Sequence, residues 1–142
     1  MNQVGKIPNS YFLLFSWIVA IIATGGSLFF SEVMHWTPCT LCWYQRILMY
    51  PLVIILGLAY LRNDRFIRIY VLSISVPGFV LACYHYALQM LPPFSAIAVC
   101  SPDNSCSEKT FAIFGFITIP FLSGTAFLLI TLGMLMIHKN SD

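Results

Sequence analysis

Cys39 and Cys42 stand three residues apart in Pro38-Cys39-Thr40-Leu41-Cys42, where an apolar run begins. Two thiols at that spacing can close into a disulfide and open again. Arg46 follows Cys42 by one helical turn, at a depth where a permanent charge is costly unless it is used. A second pair, Cys100 and Cys106, brackets Ser101-Pro102-Asp103-Asn104-Ser105, a run of turn-forming residues. Closing so short a ring restrains the unfolded chain by only about 2.4 kcal/mol in the loop-entropy model. That is a weak reason for a structural staple and a better setting for an exchangeable bond. The chemistry these residues point to is thiol–disulfide exchange coupled to electron transfer over a short distance.

The elements that must position them are membrane helices. Of 142 residues, 59% are apolar and 8% charged, and the mean hydropathy is +0.85; a soluble domain carries roughly a quarter of its residues charged. Four runs, 11–30, 43–61, 69–91 and 111–137, approach or exceed the roughly 20 apolar residues that a span needs. In lipid the backbone must satisfy its own hydrogen bonds, so these runs are expected to be helices. The expected fold is an all-α four-transmembrane-helix bundle, one domain over 1–142, with two short outer loops. Lys6, Arg62, Arg65, Arg68 and Lys139 fall on one side and Lys109 on the other. The positive-inside rule then places both termini in the cytoplasm and loops 31–40 and 92–110 outside. Ala23-Thr24-Gly25 resembles a signal cleavage site, but the apolar run continues to Phe30, too long for a signal core, so the first span is expected to be retained.

Four of the five cysteines, Cys39, Cys42, Cys100 and Cys106, lie in or beside the outer loops, on the side where disulfides persist. Their pairing stays open, since four cysteines allow three connectivities. Thr37 is read as the N-cap of the second span and Pro38 as its first residue. That puts Cys39 and Cys42 in the first turns, where free N–H groups and the helix dipole favour a thiolate. Cys42, Gln45, Arg46 and Met49 share a face by the i, i+3, i+4, i+7 rule, with Tyr50 beside them. Cys83, inside the third span, is read as a buried apolar filler. Pro77-Gly78 and Pro120 are read as internal breaks in the third and fourth spans, and Glu32 and His35 as solvated. A zinc site built from the two cysteine pairs is disfavoured, because zinc sites usually pair two tight CxxC knuckles and the Cys100–Cys106 gap is loose; neither metal nor nucleic acid is expected as a partner.

The string Pro38-Cys39-Thr40-Leu41-Cys42-Trp43-Tyr44-Gln45-Arg46 resembles the DsbB family of disulfide-bond formation proteins, most of all its short BdbC type. The resemblance extends to the four spans and both outer cysteine pairs. It implies a bacterial cell-membrane oxidoreductase that takes electrons from a reduced thioredoxin-like extracytoplasmic partner and passes them to a membrane quinone. Cys100 would take the partner in a mixed disulfide, Cys106 would engage Cys39, and Cys42 would deliver the electrons. Arg46 would polarise a quinone oxygen, with Gln45, His85 and Met49 lining the pocket. The five residues between Cys100 and Cys106 are fewer than in some relatives, so the resemblance assigns those two roles less firmly. For His85 the competing reading is an interfacial ring between Tyr84 and Tyr86.

Other functions make different demands. A reductase of the vitamin K epoxide reductase kind shares four helices and a membrane-edge CxxC, but the Gln45-Arg46 continuation favours the oxidase. Small multidrug carriers need a membrane-embedded carboxylate, and all five acids (Glu32, Asp64, Asp103, Glu108, Asp142) lie outside the spans. A structural protein with stapled outer loops would have no use for Arg46.

Overall fold

A computed structural model describes residues 9–64, 66–91 and 112–141, with side chains over 9–64, 66–91 and 114–137. Four helices, α1 (Asn9–Leu28), α2 (Thr40–Arg62), α3 (Ile67–Met90) and α4 (Ile119–Ser141), account for most of it. Each provides an apolar stretch long enough to cross a bilayer: 25 residues for α1 together with the turn to Val33, then 23, 24 and 19 in chain order. The architecture is therefore the all-α membrane bundle that the apolar runs require. Helix α1 packs on α2 and α4, and α3 on α2 and α4, so the helices close a ring in sequence order.

Local chemistry sets the helix ends. Helix α1 widens into a π-helical turn over Phe29–Val33, where the Met34 N–H reaches back five residues to the Phe29 carbonyl at 3.2 Å. Helix α2 stops at Asn63, which holds a left-handed φ of 51°, a conformation that asparagine tolerates better than most residues. The Asp64 N–H returns to the Ala59 carbonyl at 3.1 Å, and Asp64 Oδ1 accepts the Phe66 N–H at 2.9 Å. The turn into α3 is therefore short.

The second and fourth spans start elsewhere than the sequence suggests. The N-cap of α2 is Cys39, not Thr37: Cys39 is extended (φ −73°, ψ 172°) and its own Sγ accepts the Cys42 N–H. The fourth helix begins at Ile119 instead of Phe111, because Ala112–Ile113 (β1) and Ile117–Thr118 (β2) form a short antiparallel hairpin ahead of it. Pro120 thus lies in the first turn of α4, where its missing N–H has no helical partner to lose, and does not break a span. Helix α3 runs on through Pro77.

Leu13, Leu52, Leu56, Val71, Phe127, Ile130 and Met134 fill the interior. Lipid tails are as apolar as leucine, so close approach and polar contacts matter more here than burial alone. Gly78 admits the Phe127 ring, and a Cβ at Gly57 would stand 3.0 Å from Trp17 Nε1. Thr131 Oγ1 lies 3.0 Å from Ser75 Oγ across the α3–α4 seam. The outer faces carry Ile18, Ile47, Ile54, Leu58, Ile69 and Val80, a surface made for hydrocarbon. Cys83 also points outward and is not the buried filler expected of it.

Candidate active site

The start of α2 brings the two sulfurs together. With Cys39 as N-cap and Cys42 one turn on, their Sγ atoms lie 2.9 Å apart, and the Cys42 N–H donates to Cys39 Sγ at 3.3 Å. A helix opening offers its first N–H groups to an acceptor, and here the acceptor is the Cys39 sulfur. The Cys39 thiol is lowered from 9.0 to about 4. The hydrogen bond from the Cys42 thiol is the largest cause; burial opposes it, and the hydrogen bond from His85 assists.

His85 comes from the facing turn of α3, where it is 1% exposed. The interfacial reading of this residue fails on that burial. Its Nε2 lies 3.6 Å from Cys39 Sγ, and its Nδ1 lies 3.0 Å from Gln45 Nε2. Gln45, 5% exposed, receives the Ser123 hydroxyl on Oε1 at 2.6 Å, and Ser123 Oγ also lies 3.1 Å from the Pro120 carbonyl. A chain of polar groups therefore runs from the Cys39 sulfur through α3 and α2 to α4. In this arrangement Gln45 donates to Nδ1, so the ring carries its proton on Nε2, facing Cys39.

Arg46 leaves the same helix in another direction. Its Nη2 donates to the Ser27 carbonyl of α1 at 2.9 Å, beside the point where that helix widens, and its Cζ lies 5.4 Å from the centre of the Trp43 ring. Both contacts hold a delocalised cation where a lysine would fit poorly. A cavity of about 820 Å³ opens between α1, α2 and α4, lined by Cys42, Gln45, Arg46, Met49 and His85. Tyr50 also lines it, with a buried hydroxyl that has no hydrogen-bond partner among the described residues. Ile22 and Leu122 line the cavity too and are 68% and 44% exposed, so one side of it reaches the lipid-facing surface.

The structure thus gathers Cys39, Cys42, Gln45, Arg46, Met49 and His85 around one space. Cys100 and Cys106 lie outside the described residues. Glu32 and His35 are exposed, as expected. Ser123 and the Ser27 carbonyl leave no mark in the sequence: a serine in an apolar helix and a backbone oxygen carry no signal there.

Four apolar helices around a half-buried thiol pair define a multi-pass membrane protein equipped for thiol–disulfide chemistry. Residues 9–137 match the family model described as disulfide bond formation protein DsbB, and the chain belongs to that family. Disulfide bond formation protein C of Bacillus subtilis (strain 168) is 49% identical over 126 residues, covering 89% of this chain and 91% of the relative. A probable disulfide formation protein of Coxiella burnetii (strain RSA 493 / Nine Mile phase I) is 44% identical over 141 residues, 99% of this chain and 96% of the relative. Probable disulfide formation protein C of Halalkalibacterium halodurans is 46% identical over 134 residues, 94% and 96% of the two chains. No solved structure matches. Membership makes this chain a disulfide bond formation protein, with the oxidoreductase activity that this implies.

Proposed function

We propose that the chain is a quinone-dependent protein dithiol oxidase of the bacterial cell membrane. It reoxidises a thioredoxin-like extracytoplasmic thiol oxidase and so sustains disulfide formation in exported proteins. Both termini lie in the cytoplasm and both cysteine pairs outside. The observation that carries the reading is the sharing of one cavity by the thiol pair, His85 and Arg46.

The cavity residues fit a quinone. Its volume lies within the range of small-molecule sites, about 300–1,000 Å³, and such sites are mostly apolar with a few placed polar groups. Here the polar groups include the Arg46 guanidinium and the Tyr50 hydroxyl, which lacks a partner among the described residues. A bound quinone supplies a two-electron acceptor beside Cys42.

The sulfur steps balance as exchanges. A partner thiolate attacks Cys100 Sγ, the Cys100–Cys106 bond breaks, and Cys106 leaves as thiolate. Cys106 then attacks Cys39 Sγ, the Cys39–Cys42 bond breaks, and Cys42 leaves facing the cavity. The partner's second thiolate closes the partner disulfide and frees Cys100, which recloses on Cys106 and releases Cys39. The partner dithiol is oxidised and the Cys39/Cys42 pair holds both electrons. Arg46 holds a positive charge against an oxygen that gains negative charge, and His85 offers Nε2–H to the Cys39 sulfur as it becomes a thiolate.

Purified protein in lipid, given a reduced thioredoxin-like partner and a quinone, is expected to consume one quinone for each partner dithiol oxidised. Partner oxidised without quinone consumption, or no turnover with a partner shown to be active, rejects the reading.

A further inference from the structure

Cys39, Cys42 and His85 each present one donor atom, and the three atoms all lie within 4.8 Å of one another. Zinc binds cysteine sulfur at about 2.3 Å and histidine nitrogen at about 2.0–2.1 Å, so a tetrahedral ion sets a sulfur and a nitrogen about 3.6 Å apart and two sulfurs about 3.8 Å apart. Cys39 Sγ and His85 Nε2 are 3.6 Å apart, already at that length. The two sulfurs, 2.9 Å apart, must separate by about 0.9 Å to reach it. Cys39 caps the helix from outside its body, so its side chain can swing with the loss of only the Cys42 N–H contact to its own sulfur.

The residues behind His85 complete the case. A histidine bound to metal through one ring nitrogen donates the other N–H to an acceptor that fixes the ring, and losing that acceptor costs about 10–100-fold in affinity. His85 Nδ1 faces the Gln45 carboxamide at 3.0 Å. A half-turn of that carboxamide exchanges its oxygen and nitrogen. Its oxygen then accepts Nδ1–H, its NH₂ donates to Ser123 Oγ, and Ser123 turns its one proton from the carboxamide to the Pro120 carbonyl 3.1 Å away. Every donor keeps an acceptor in both settings, and the half-turn frees the Nε2 lone pair for an ion.

We propose that reduced Cys39 and Cys42, with His85, form a binding site for a zinc-class divalent cation, held ready by Gln45 and Ser123. The fourth position faces the cavity and takes water. Binding moves no electrons: the cation takes both sulfurs as thiolates, and any thiol proton goes to solvent. The disulfide form offers no thiolate, so only the reduced pair binds. An ion there ties up the electron pairs on both sulfurs and halts the relay, a form of regulation that rests on the oxidase reading, whereas the binding itself does not.

The test uses the full chain in lipid nanodiscs with Cys100 and Cys106 both changed to serine, titrated with Co²⁺ or Zn²⁺ alone. Reduced protein is expected to bind one Co²⁺ with tetrahedral d–d bands and a thiolate charge-transfer band, and Zn²⁺ to displace it. Zn²⁺ should shield Cys39 and Cys42 from alkylation. His85→Ala and Gln45→Leu should each weaken Zn²⁺ binding about 10–100-fold, and Gln45→Glu, which keeps an acceptor for Nδ1–H, should restore it. Oxidised protein should bind none. Unchanged affinity in His85→Ala, or in Gln45→Leu, would mean a plain dithiol chelate and overturns the site. So does the absence of tetrahedral cobalt bands in protein whose cysteines alkylate freely. Neither partner nor quinone is present, so failure here leaves the oxidase reading standing, and failure of the oxidase assay with a chelator present leaves the metal site standing.

Discussion

Cys39 is placed for two jobs at one position: its sulfur caps α2 and belongs to the pair proposed as redox-active. Because Cys42 and His85 hold its thiol near 4, well below the ordinary cysteine value of about 8.5, the thiolate persists until the pH falls through about 4. Its alkylation rate in reduced, chelator-treated protein is expected to be flat from about pH 6 to 8, where an ordinary thiol gains nearly tenfold per pH unit. Mass spectrometry of the Cys39 peptide checks this, and a rate still climbing through pH 7 contradicts it. Arg46→Ala removes the cavity's cation and is expected to slow quinone reduction by about a hundredfold. Exchange with the partner, followed by its mixed disulfides, should hardly change; equal loss of both would make Arg46 structural. The pair and Arg46 could be read from their spacing. The burial of His85 could not, because a ring among Tyr84 and Tyr86 suits either face until the rotation of α3 is known, and that rotation sends Cys83 to lipid and His85 inward. Ser123 was illegible, since its partner is 78 residues away.

At the scale of elements, hydropathy located four helices and misjudged two of their ends. The start of α2 looked like Thr37 because threonine is a common cap, yet a cysteine sulfur took the role. The fourth span looked longer than it is because Ile113 and the segment to Thr118 are largely apolar, although they turn back as a hairpin with Phe114 at φ 56° and Gly115 at φ 81°. Helix contact can be tested at Gly78, whose added Cβ would run into the Phe127 ring, itself wholly buried. Gly78→Ala is expected to destabilise the bundle by about 1–3 kcal/mol, read as a lower thermal midpoint in detergent. Gly25→Ala, with nothing within 4 Å of its Cβ, serves as control, and equal midpoints for the two would discount the α3–α4 contact.

For the whole molecule, the proposed relay joins two cysteine pairs that sit on separate connections. Cys106→Ala is expected to trap the partner on Cys100 as a stable mixed disulfide, visible on a non-reducing gel. Trapping only in Cys100→Ala would reverse those roles. The exposed rim at Ile22 and Leu122 has a consequence for how such a protein is fed. A greasy acceptor entering there comes sideways out of the bilayer and never from water. What matters is then its mole fraction among the lipids, not its molarity in the tube. Half-saturation should rise with added empty vesicles even when enzyme and acceptor totals are held constant, and in a living membrane the size of the acceptor pool relative to lipid becomes the throttle.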